Sequence, residues 1–199
     1  GKHAGMLAVA LHLGAPTRGY ERPGHPVQRH VVGALAELAG LAALPEPGID
    51  GCGLPNHPIP LRGLARAAAA LADPGGPAPE RGRALARIAA AMRAHPFLVA
   101  GTGRCCTAVM RAARGVIAKT GAEGVFLGAV EGRRLGLAVK AEDGATRAAE
   151  TAFLALLDRV GALDDDARAA LGGFLRPRLR NFAGVEVGHV AVAPGWPPG

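Results

Sequence analysis

The 199-residue chain contains no serine. A mechanism that needs a serine nucleophile therefore cannot be completed by these residues alone. Lysine is almost as scarce: of 23 basic residues only Lys2, Lys119 and Lys140 are lysines. Arginine effectively never loses its proton, whereas lysine does so when its surroundings lower its pKa. Three ammonium groups kept in an arginine-rich chain therefore mark the places to look for chemistry. Aromatic residues make up only 4% of the chain, which leaves the core to Ala, Leu and Val and offers few rings for nucleobases to stack on. Three cysteines, two of them adjacent at Cys105 and Cys106, do not make a disulfide framework. No apolar run approaches the ~20 residues that span a bilayer, and no secretory signal is visible. The expectation is a soluble, cytoplasmic protein without a membrane partner.

What is present suits one domain over 1–199, with 49% hydrophobic residues to build its core. A net charge of +7 and a pI near 10.3 raise the question of nucleic acid. The arginines, however, are scattered singly along helical segments (Arg81, Arg83, Arg87, Arg93). Solvated helix faces account for that pattern, and no nucleic-acid partner is expected.

The periodicity predicts helices first. "AGMLAVALHLG" reads as a buried helix starting after Lys2 and His3, and "HPVQRHVVGALAELAG" as an amphipathic one with Pro26 in its first turn and Gly40 as its stop. A proline-rich loop around Cys52 precedes a helix through Leu61, Leu64, Ala68 and Leu71. "DPGGPAP" links it to a helix that turns Leu85, Ile88 and Met92 inward and ends at Pro96. The period then changes. "VIAKTG", "GVFLGAVE" and "RLGLAVKAE" read as strands, the last two joined by a hairpin at "GRR". Two further helices follow, the second with an Asp run at its N-terminal end, then a strand in "GVEVGHVAVAP" and a Pro-rich tail. Helices followed by an antiparallel meander flanked by helices indicate the α+β class.

Three stretches carry candidate chemistry. The first is "KTG", Lys119 to Gly121, a triplet that marks serine β-lactamases and penicillin-binding proteins when it lies on a strand lining a cleft. There the ammonium sets the proton affinity of its neighbours, the Thr120 hydroxyl donates to substrate, and Gly121 lets the backbone approach. The second is "GKH", which puts Lys2 and His3 at a helix N-terminus, where positive partial charge disfavours a protonated amine. Lys2 is thereby a candidate neutral amine, either a base or a metal ligand. The third is Cys52 between two glycines, near Asp50. With Lys2 or His3 it would make a mixed S/N/O set suited to zinc, although no Cys-x-x-Cys or His-x-x-x-His spacing supports one. His57 and His95, each before a proline, read as loop or capping residues, and Cys105 and Cys106 as small core residues.

Together and in this order, "GKHAGMLA", "DGCGLPNHPIPL", "HPFLVAGTGR" with "CTAVM", "KTGAEGVF" and "GLAVKAEDGATRA" resemble the L-asparaginase II family, the rhizobial-type asparaginases. The resemblance covers essentially the whole chain. It implies a fold related to serine β-lactamases and glutaminases, hydrolysis of L-asparagine to L-aspartate and ammonia, a homodimer, and zinc held by a lysine and two cysteines. Position by position, Lys2 and Cys52 match metal ligands, and Lys119 matches a catalytic lysine that works beside a serine. Asp50 matches an active-site acid. His3 matches a supporting histidine beside the metal, which with Thr120 and Gly121 would contact substrate. Backbone N–H groups near the "KTG" strand are expected to stabilise the oxyanion. The family's lysine–histidine pair is preceded by "Cys-Ser-Gly", and its nucleophilic serine and Ser-x-x-Lys partner lie further upstream. The expectation is thus the C-terminal portion of a longer asparaginase, with the second cysteine ligand and the nucleophile before Gly1. Two alternatives remain open: a β-lactamase-like or glutaminase-like acyl-transfer hydrolase, and a non-catalytic metal-binding chain. Lys140 stays unassigned, with a pairing to Glu142 as its simplest role.

Overall fold

The computed structural model describes residues 1–76 and 78–196. Pro77, within the 73–79 link, and the tail residues 197–199 lie outside that range. The chain groups into two compact units, Gly1–Gly63 and Leu64–Gly199.

The first unit holds α1 (Lys2–His12), α2 (Pro26–Ala39) and a two-stranded antiparallel ribbon of β1 (Gly48–Ile49) and β2 (Pro55–Asn56). Helix α2 begins and ends as its sequence predicts. Pro26 takes the first turn, the His25 ring accepts from the Val27 N–H at 3.2 Å, and Gly40 closes the helix with a left-handed φ of +70°. Helix α1 forms where expected but is not buried. Ala10 is its one buried residue, and Leu11 is 71% exposed. An apolar sequence on nearly all sides of a helix needs partners on all sides, and within this unit α2 covers one stripe. Gln28 is buried in the unit and is satisfied there: its Nε2 donates to the Tyr20 carbonyl at 2.8 Å and to the Met6 sulfur at 3.5 Å.

Helix α3 (Leu61–Ala72) leads into the second unit, which continues with α4 (Pro79–Ala94), α5 (Pro96–Ala100) and α6 (Cys105–Ala112). The meander follows as β3 (Val116–Thr120), β4 (Val125–Val130) and β5 (Leu135–Lys140), antiparallel in the order β3-β4-β5. Helices α7 (Thr146–Arg159) and α8 (Asp165–Leu175) come next, and a ribbon of β6 (Arg178–Arg180) and β7 (Glu186–His189) completes the unit. Asp164 caps α8 by accepting from the Ala167 N–H at 2.8 Å, which is the use its Asp run suggested. Both faces of the sheet are covered, Ile117 and Ala129 being buried on the side of Ala68, Leu71 and Met92 and Phe126 on the side of α7. Phe126 of β4 stacks on Phe153 of α7 at 4.5 Å between centroids, and both are fully buried with Leu154, Leu157 and Leu171. Gly128 makes this approach possible, since a Cβ there would stand 2.3 Å from the Phe153 ring.

The arrangement is α+β, with an antiparallel sheet flanked by helices. Three details differ from the sequence reading. Ile88, expected to face inward, is 50% exposed, while Leu85 and Ala89 are the buried side of α4. Pro96 ends α4 and at once starts α5, with His95 at the junction as a capping residue. Strand β6 is only three residues long, too short for its alternation to announce it; it exists by pairing with β7.

Candidate functional site

In the first unit the chain turns sharply between β1 and β2, and Asp50 makes the turn. Its N–H donates to the Leu54 carbonyl at 2.9 Å, and its own carbonyl accepts from the Gly53 N–H at 2.9 Å. Its side-chain Oδ1 accepts from the N–H groups of Cys52 at 2.8 Å and Leu54 at 2.9 Å. Gly53 has a φ of +77°, the left-handed conformation that closes such a three-residue loop. One carboxylate oxygen is thus spent on folding the loop, and the Cys52 thiol is left exposed at its tip.

The other oxygen, Oδ2, accepts from Lys2 Nζ at 2.9 Å. This contact brings Lys2, 48 positions away in the sequence, to the turn that carries Asp50 and Cys52. The Lys2 hydrogen bond, with the backbone donors of Leu54 and Cys52, pulls the Asp50 carboxyl down to about 2. In return Asp50, and to a lesser extent Cys52, hold the Lys2 ammonium above the ordinary lysine range. This reverses the expectation of a neutral amine at the start of α1. A carboxylate at hydrogen-bond distance outweighs the partial charge of a helix end. His3 does not join the cluster through its ring Nδ1, which lies 2.7 Å from the Tyr20 hydroxyl, the two rings meeting edge-on at 5.9 Å. Tyr20 was not singled out from sequence, and the stretch around it carries no motif that could have pointed to it. His57 serves the loop, with Nδ1 2.7 Å from the Pro45 carbonyl.

Among the described residues no group of three His, Cys, Asp or Glu side chains gathers as a metal site. Amine, thiol and carboxylate do converge at Lys2, Cys52 and Asp50. The donor kinds suit zinc, which takes nitrogen, sulfur and oxygen ligands, and Lys2 would have to shed its proton to serve.

The "KTG" triplet lies in the second unit, at the end of β3. Val116, Ile117 and Ala118 are buried, and Lys119 is exposed. Lys119 Nζ donates to the Thr120 carbonyl at 2.7 Å, and the Thr120 hydroxyl to the Gly121 carbonyl at 3.1 Å. The backbone donors are already engaged: Thr120 N–H to the Cys106 sulfur at 3.1 Å and Gly121 N–H to the Val125 carbonyl at 2.7 Å. Those two groups are therefore not free to form the oxyanion hole expected there. A cavity of about 190 Å³ adjoins Lys119, walled by Ala68, Leu71, Met92, Ile117 and Leu127. Its walls match hydrocarbon rather than a carboxamide.

Cys105 and Cys106 are core residues as expected, each 1% exposed, with burial pushing both thiols up. Glu150 of α7 is half-buried near them, and the same desolvation raises its carboxyl against the pull of Arg104. Lys140 donates to the Ala141 carbonyl and is not paired with Glu142. Among the described residues no helix is long and apolar enough to cross a membrane.

An α+β protein that holds an amine, a carboxylate and a thiol at one tight turn, and a Lys-Thr-Gly triplet at an exposed strand end, carries groups that hydrolases use. The family model for L-asparaginase II matches residues 1–192, and the chain belongs to that family. No curated protein matches the chain.

Proposed function

We propose that this chain acts in the hydrolysis of L-asparagine to L-aspartate and ammonia, in a cytoplasmic homodimer with a fold of the serine β-lactamase and glutaminase type. The observation that carries the reading is the family match over residues 1–192, joined to "KTG" at the exposed end of β3. In the reaction a serine hydroxyl adds to the side-chain amide carbon, the C–N bond breaks, and ammonia leaves with a proton. Water then cleaves the resulting ester to give aspartate. Lys119 is the group we assign to move the proton, with Thr120 and Gly121 on the substrate. These residues hold no serine, so the nucleophile has to come from outside them.

Asp50 we assign as the acid of the site, and His3 as a substrate contact anchored by Tyr20. Lys2 and Cys52 would hold zinc, supported by their shared neighbourhood with Asp50. When bound, the metal would fix the Cys52 loop or orient the substrate. Apart from that, Asp50 already shapes the loop through its two backbone hydrogen bonds.

Ammonia release from L-asparagine tests the proposal, measured for this chain alone and for the chain together with the family segment that carries the serine. Release is expected only in the second case. Lys119→Ala should lower it by about 10²–10⁴-fold, as loss of a proton-transfer group does, and leave the melting temperature unchanged because Lys119 is exposed. Full activity of Lys119→Ala would remove the triplet from the mechanism. A larger rate on glutamine or a β-lactam would favour the acyl-transfer alternative.

A further inference from the structure

In the second unit, the end of α7, the end of α8, the end of β7 and the segment reaching Trp196 wall a cavity of about 560 Å³. That is within the range of small-molecule sites. Its charge is unbalanced in one direction. Arg159 has no carboxylate partner among the described residues, and neither has Arg176, whose Nη2 stands 2.8 Å from Nε2 of His189. A ring nitrogen orients that guanidinium without neutralising it. Among the described residues the one acid on the wall is Asp158, which is engaged by Arg168 Nε at 2.6 Å. A second, apolar cavity of about 270 Å³ shares Val192 and Trp196 with the first and is lined by Val139, Ala148 and Ala152.

We propose that this cleft binds a small organic anion built from a phosphate or carboxylate joined to a flat ring. Arg159 and Arg176 present planar forks that match such oxyanions, and the Trp196 indole offers the ring a face to stack on. All the groups involved lie in the second unit and none belongs to the residues assigned above to asparagine hydrolysis.

Trp196 is the only tryptophan of the chain, so its emission, excited beyond the absorbance of adenine, reports on the cleft directly. Titration with 5′-AMP should quench it saturably. Adenosine, which lacks the charge, and inorganic phosphate, which lacks the ring, should need about tenfold higher concentration or more for the same effect, the scale of a charge-assisted hydrogen bond. The double variant Arg159→Ala/Arg176→Ala should raise half-saturation by AMP about tenfold or more on the same scale without changing the melting temperature, both positions being exposed. Arg159→Ala alone gives the same reading should the double variant fail to fold. A linear, unsaturable quench, an equal response to adenosine, or a variant that binds AMP as the parent does would each overturn the assignment.

Discussion

Asp50 divides its two oxygens between two tasks. Oδ1 folds the loop that carries Cys52, and Oδ2 holds Lys2. The two tasks can be separated by substitution. Asp50→Asn keeps an oxygen for the backbone donors and removes the charge facing Lys2, so it should melt as the parent does and lower ammonia release from L-asparagine when combined with the segment that carries the serine. Gly53→Ala leaves the charges alone and forces a Cβ into the left-handed conformation, at a cost of about 1 kcal/mol; a denaturant titration would register it. Glu150 offers a test by pH. Burial raises its carboxyl in the folded chain, so the folded state holds that proton more tightly than the unfolded one. The stability involved is complete below the ordinary glutamate value and is lost as pH rises through the higher folded value. Glu150→Gln should therefore melt higher than the parent at neutral pH, with the gap closing in acid. At this scale the sequence was informative about residue types and silent about one contact. Cys52 and Asp50 share a loop and could be read together. The bond from Lys2, 48 positions away, depends on how α1 and the turn are placed, and no local pattern encodes that.

Elements were legible where their periodicity was strong. The three strands of the meander, the hairpin at "GRR" and the cap of α8 all follow from local chemistry. Elements created by pairing or by junctions were not: β6 is strand because β7 lies beside it, and α5 begins because Pro96 both stops one helix and suits the first turn of another. The orientation of α4 was half legible, since Leu85 and Ile88 are equally apolar and packing alone decides which is covered. One close approach between elements is at Gly128, where α7 meets β4. Gly128→Ala should drive the new methyl into the Phe153 ring and destabilise the chain by about 1–3 kcal/mol, visible as a lower midpoint in urea.

For the molecule as a whole, the distribution of burial differs between the two units. The large buried cluster runs from Ala89 to Leu171 and lies wholly in the second. The first has a few buried residues, among them Ala10, Val27 and Leu54. Stability follows buried apolar contact, so hydrogen exchange should be slowest in β3, β4 and α7 and measurably faster throughout α1, α2 and the Asp50 turn. Equal protection of both units would contradict that ordering. The exposed thiol at the tip of the Asp50 turn also has a practical side. Cys105 and Cys106 are sealed in the core while Cys52 stands in solvent, so the folded protein presents one accessible thiol and the unfolded protein three. A maleimide dye added to intact protein would mark a single place on every molecule, beside Lys2. The number of dyes per chain then becomes a count of how many molecules in a preparation have opened.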